Sequence, residues 1–173
     1  MGKNRYNANK RDSLHSVFWF IAAAVLIALV FVFVIGVGIV SGVSMNDTLT
    51  DGELLIYTRI NSKVETGQIV DVHLPTGDNY VKRVIAVGGD VIDLKDGIFY
   101  VNGVPEDDSC IKGETLPEQS AVEYPYTVPE DYVFVVGDNR PESVDSRAFG
   151  AVKQECVKGV IRYKVGWLYV DKL

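Results

Sequence analysis

A serine and a lysine can hydrolyse a bond together without a histidine, and this chain offers one of each in suggestive surroundings. Ser44 lies in "SGVSMNDTL" (41–49) and Lys82 in "NYVKRVIAVGGD" (79–90). A free serine hydroxyl is a poor nucleophile and needs an adjacent base. Lysine can be that base only when neutral near pH 7, although its reference pKa is about 10.4. Bringing it to about 7 costs the ammonium about 4 kcal/mol, and burial among apolar side chains supplies a penalty of that size. The stretch around Lys82 reads as a strand, whose residues alternate faces. Lys82 then shares a face with Tyr80, Val84 and Ala86, and Arg83 shares the other with Val81, Ile85 and Val87. Periodicity does not choose between the two cations, but arginine is effectively always protonated and cannot act as a base. On the residues alone, Lys82 also reads as a strand lysine whose stem snorkels over apolar surface. Ser44 reads as well as a helix end or a linker.

Two further stretches stand out. In "VVGDNRPESVDSRAFG" (135–150) an apolar strand runs into a polar cluster holding Asp138, Asn139, Arg140, Ser143, Asp145, Ser146 and Arg147. The spacings Asp138–Arg140 and Asp145–Arg147 could brace a loop with charge-assisted bonds. "GQIVDVHLP" (67–75) alone reads as an ordinary strand. Its His73 is the one histidine beyond residue 40, and hence the only candidate for a Ser-His-Asp hydrolase; no motif around it supports that chemistry.

These residues follow a long apolar run. "VFWFIAAAVLIALVFVFVIGVGIV" (17–40) has no charged side chain. As a helix its 24 residues rise roughly 36 Å, enough to cross a hydrocarbon core of about 30 Å. It is too long for the apolar core of a cleavable signal peptide, about 7–15 residues, so it reads as a retained anchor. The preceding residues 1–16 carry Lys3, Arg5, Lys10 and Arg11 against Asp12, a net +3 that places them in the cytoplasm by the positive-inside rule. Residues 41–173 are then expected on the outer side, and the lipid bilayer is a partner through the anchor. Since the whole chain carries −6, that outer portion carries −9, which argues against nucleic acid as a partner. Cys110 and Cys156 both fall there, and their pairing is open. Neither has metal-ligand spacing, so no metal or other cofactor is expected.

The outer portion predicts strands at 53–60, 68–74, 79–87, 90–94, 97–101, 132–137 and 159–170. Asp96-Gly97 and Asn102-Gly103 supply tight-turn residues. No segment after residue 40 sustains a helical apolar period, so the fold class is mostly β behind one N-terminal transmembrane helix. Residues 105–131, with four prolines and many acids, read as a long loop excursion.

The four stretches, in order behind an apolar anchor, resemble the boxes of the type I signal peptidases. "SMNDTL" resembles that family's S-M-x-P-T-L, and "GQIVDVHLP" its G-D-I-V-V-F-x-x-P. "YVKRVIAVGGD" resembles Y-I-K-R-V-I-G-L-P-G-D, and "GDNRPESVDSRAFG" resembles G-D-N-R-x-x-S-x-D-S-R-x-x-G, the most specific of the four. The resemblance implies two packed antiparallel β-sheets and a membrane-anchored serine endopeptidase that removes signal peptides from exported preproteins after small residues. It makes Ser44 the nucleophile, its N–H an oxyanion donor, and Lys82 the general base. It has Ser143 hydrogen-bond the lysine, and Asp145 and Arg147 fix the loop that carries Ser143. It also implies the secretion translocase as a partner. The departures are Asp47 where the family has proline, Gly88 where it has proline in the third box, and Gly42 where some members carry a second oxyanion donor. Gly42 is shared with relatives from Gram-positive bacteria. An Asp47 close to Lys82 would favour the ammonium and oppose catalysis. That keeps a second reading in play, an anchored pseudoprotease that binds preproteins or translocase without cutting. A self-cleaving Ser-Lys repressor-type protease is disfavoured by the anchor.

Overall fold

The computed structural model describes residues 2–59, 63–107, 109–117, 122–166 and 169–173. The side chains of the basic N-terminal segment, parts of the long loop and the ends of two predicted strands lie outside the described residues. By contact density the chain divides into Met1–Gly36 and Val37–Leu173.

The first unit is helix α1 (Gly2–Phe33). Its stretch His15–Phe33 is long and apolar enough to cross a membrane, with a mean hydropathy of 2.8. The helix stops seven residues short of the end of the uncharged run. Five of those seven, "IGVGI", form strand β1 (Ile35–Ile39) instead. Two glycines weaken a helix there, while valine and isoleucine suit a strand.

The strands that follow are β2 (Leu54–Thr58), β3 (Ile69–His73), β4 (Asn79–Val87), β5 (Val91–Lys95), β6 (Ile98–Val101) and β7 (Val104–Pro105). After the long loop come β8 (Tyr126–Thr127), β9 (Tyr132–Val136), helix α2 (Ser146–Phe149), β10 (Val152–Lys153), β11 (Val157–Val165) and β12 (Val170–Lys172). The larger sheet runs β1-β2-β11-β3-β4-β9-β10, with β12 on β11; the smaller runs β7-β6-β5-β8. The pairings from β2 through β12 are antiparallel. The fold is thus mostly β in two antiparallel sheets. At both predicted tight turns the two central residues have positive φ, Asp96 at 51° and Gly97 at 75°, Asn102 at 52° and Gly103 at 82°.

Alternation sorts the core. Val70, Val72, Val84, Val135 and Val160 gather in one buried cluster. From β2, β3 and β11, Leu55, Tyr57, Ile69 and Ile161 gather in another, with Met45 and Leu49. The sheets meet in a third, where Ile85, Phe134 and Val136 pack with Ile92, Phe99 and Val128. A register shift between Val84 and Ala86 lets consecutive Ile85 and Ala86 both join that third cluster, as a β-bulge does. The long excursion is fastened down: Tyr126–Thr127 pairs with β5, and Lys112 bridges Asn139 in parallel.

Candidate active site

Ser44 sits in the turn between β1 and β2. Leu49 N–H donates to the Met45 carbonyl at 2.8 Å, and both side chains are buried in the second cluster, which pins the turn. Gly42 has φ +96°, a left-handed conformation that any side chain would strain, and its N–H donates to Asp51 at 2.8 Å. The departure at position 42 therefore has a backbone cause. Asn139 grips the turn from across the molecule: its N–H donates to the Ser44 carbonyl at 3.0 Å and its side-chain amide to the Val43 carbonyl at 2.9 Å. Among the described residues no acceptor takes the Ser44 N–H.

Lys82 comes from β4, paired with Val70 of β3 on one side while the strand pairs with β9 on the other. It is 2% exposed, and its Nζ donates to Ser44 Oγ at 2.5 Å. The Tyr80 ring centroid is 5.5 Å from Nζ. Burial pulls the amine down from 10.5 to about 8; Asp145 and Asp138 pull the other way, and Arg147 reinforces burial. With that value about a tenth of the amine is neutral at pH 7. A serine oxygen facing a partly neutral amine can be activated for attack on a carbonyl.

The loop 137–147 forms the third side. The Asp145 carboxylate, fully buried, accepts from Gly137 N–H, the Ser143 hydroxyl, and Arg147 through its backbone N–H, Nε and Nη2, at 2.6–3.1 Å. It also caps α2. Ser143 donates its proton to Asp145 at 2.6 Å; the described bonds do not include the expected one from Lys82, whose amine points to Ser44. A hydroxyl committed in this way keeps its lone pairs for an N–H donor. Gly137 is wedged in: a Cβ there would come within 2.2 Å of Ser143 Oγ and 2.5 Å of the Ser44 carbonyl oxygen.

Of the two Asp–Arg spacings, Asp145–Arg147 is a direct pair and Asp138–Arg140 is not. Asp138 pairs with Arg83 through two bonds of 2.8 and 2.7 Å and accepts from Thr48 at 2.5 Å. Arg83 on its opposite face is thus the structural cation. Arg140 is 1% exposed and turns toward the smaller sheet, where it meets Glu106 at 2.7 Å, Thr115 and the Phe99 ring. Asn139 and the Arg83–Asp138 clamp went unassigned in the sequence; the available signal was the presence of Arg83 in the third box and of Asp138 and Asn139 in the fourth.

Asp47 is largely exposed, 3.2 Å from Lys112, and is not among the charges acting on Lys82. His73 pairs with Asp71 at 3.1 Å. Cys110 and Cys156 are both free, one exposed and one in the core, so they do not pair. A cleft of about 180 Å³ opens at Ser44, walled by residues 39–42, 44 and 45, Asp71 of β3 and residues 79–82 of β4. Strand β2 contributes nothing to it among the described residues, because β11 lies between β2 and β3. A larger cavity of about 450 Å³ contains Arg83, Glu106, Cys110 and Arg140 but neither Ser44 nor Lys82.

A β domain that points a serine hydroxyl at a buried lysine beside an open cleft has the build of an acyl-transfer hydrolase. The model of the family described as signal peptidase, peptidase S26, matches residues 13–167. Signal peptidase IB of Staphylococcus aureus is 31% identical over 166 residues, covering 84% of this chain and 87% of the relative. Signal peptidase I of Bacillus caldolyticus is 35% identical over 161 residues with the same coverage of each. A crystal structure of a signal peptidase I from Enterococcus faecalis is 34% identical, spanning 57% of this chain and 97% of that one, with a TM-score of 0.45. The chain belongs to the signal peptidase family, peptidase S26, whose members cleave signal peptides from preproteins.

Proposed function

We propose that Ser44 is the nucleophile and Lys82 the general base with which this enzyme cleaves signal peptides from exported preproteins. The observation that carries the reading is the 2.5 Å bond from a 2%-exposed Lys82 amine to Ser44 Oγ. Neutral Lys82 takes the hydroxyl proton as Oγ attacks the scissile carbonyl. The tetrahedral oxyanion is held by the Ser44 N–H. As the C–N bond breaks, the lysine ammonium returns the proton to the leaving amine, leaving an ester on Ser44. Lys82, neutral again, deprotonates a water that hydrolyses the ester. Ser143, Asp145 and Arg147 are positioning residues: they fix the polar loop behind the amine and its electrostatic surroundings. The substrate segment lies extended over the cleft, whose size favours short side chains before the cut.

Ser44→Ala and Lys82→Ala should each abolish processing of a preprotein by the full chain in detergent. The rate should rise about tenfold per pH unit up to about pH 8 and then level. Full activity in Lys82→Ala would refute the assignment. Asp47, the one ground for a non-cutting preprotein binder, pairs with Lys112 and is not among the charges acting on Lys82, which favours the cutting reading.

Helix His15–Phe33 serves as a membrane anchor on this reading, with the basic N-terminus cytoplasmic and the β domain outside. Exposed Cys110 gives the test. A membrane-impermeant maleimide should label it on intact cells stripped of their wall; labelling only after permeabilisation would reverse the orientation.

A further inference from the structure

The cleft beside Ser44 contains an acid that the proposed reaction does not use. Asp71 lies opposite Val81 across the β3–β4 pairing, and both wall the cleft. Residues paired across strands share a face, so the Asp71 carboxylate and the Val81 side chain stand on the same side. That wall sets apolar Ile39, Val40 and Met45 beside polar Ser41, Asn79 and Tyr80. Asp71 is absent from the charges acting on Lys82, so it does not tune the base. Its side chain is only 15% exposed, and burial raises its pKa while His73 opposes the rise. A carboxylate kept there without a catalytic task has acceptor capacity left over, since His73 contacts Oδ2 alone.

We infer that Asp71 is a specificity-determining residue, accepting a hydrogen bond from a donor-bearing side chain of the substrate just before the cut. The inference rests on the proposed role of Ser44, which brings the scissile bond to this cleft. In an extended substrate, alternate side chains face the same wall about 7 Å apart, so a neighbour of the scissile residue reaches Asp71. At about 180 Å³ the cleft is smaller than ordinary ligand pockets of about 300–1,000 Å³, which limits the donor to a short side chain. A hydroxyl or a short amine would serve.

The test is a peptide series in which each of the three residues before the cut is in turn Ala, Val, Thr or diaminopropionate, the rest being constant. Wild-type enzyme should cleave the Thr or the diaminopropionate peptide about tenfold or more faster in kcat/KM than the Val peptide at one position only. The Thr and diaminopropionate arms separate a hydroxyl from an amine as the preferred donor. In Asp71→Val that ratio should fall to unity or invert at the same position and stay unchanged at the others. A wild-type Thr-to-Val ratio near unity at every position, with the amine no better, overturns the inference without any variant. So does a preference that survives in Asp71→Val. Cleavage of the Ala peptide by Ser44→Ala would instead overturn the nucleophile assignment, so the two failures are distinguishable.

Discussion

Replacing Lys82 with methionine should make the protein more stable and inactive at once. The folded-state pKa of about 8 lies below the ordinary 10.5, so folding disfavours the ammonium. The gap corresponds to about 3 kcal/mol. The penalty is fully present below about pH 8, shrinks as the pH rises toward 10.5 and vanishes above it. Methionine matches the length of the stem and carries no charge. Its substitution removes the penalty but also the bond to Ser44, which offsets about 1 kcal/mol. Net stabilisation near pH 7 is then about 2 kcal/mol. Urea denaturation of the full chain in detergent, wild type against variant, would measure it at pH 7 and again at pH 10. The variant should lead at pH 7, and its lead should fall by most of that amount at pH 10. A variant less stable at pH 7, or a lead that ignores pH, would refute the argument that burial holds this amine toward its neutral form.

Gly137→Ala should cost about 3 kcal/mol in denaturation and most of the activity, because its methyl group collides with Ser143 Oγ and the Ser44 carbonyl. Arg140→Ala should destabilise by about 3–5 kcal/mol, since Glu106, 8% exposed at its side chain, loses its partner; near-neutral stability would mean the pair is not buried in solution. Asp47→Asn should keep activity within about twofold and leave the acid limb of the pH–rate profile in place, as expected of a screened surface pair. A limb displaced to lower pH would show that Asp47 does act on Lys82.

The sequence exposed most of this fold through local signals. The strand 79–87 appears at its predicted bounds, and the two Asx-Gly pairs make the turns their residues favour. Strand β1 was hidden because its apolar residues continue an apolar helix, and composition alone does not mark where one becomes the other. Strands β7, β8 and β10 have two residues each, too few to carry a period. In the site, the Ser44 and Lys82 boxes were legible, and the contact between their side chains required the fold. Arg140 shows the limit of spacing arguments. Two residues from Asp138 in sequence, it turns instead toward Glu106, because partners in a loop are set by where the backbone points. Asp71 was passed over since a single acid in a strand looks like a solvent-facing position until the cleft is seen.

The grip of Asn139 on the carbonyls of Val43 and Ser44 has a consequence for timing. A ribosome releases residue 44 long before residue 139, so the turn carrying the serine exists for most of synthesis without its clasp. The loop that supplies the clasp also brings Gly137, Ser143 and Asp145 to the same place. The candidate site therefore cannot assemble until that loop, in the last quarter of the chain, has emerged.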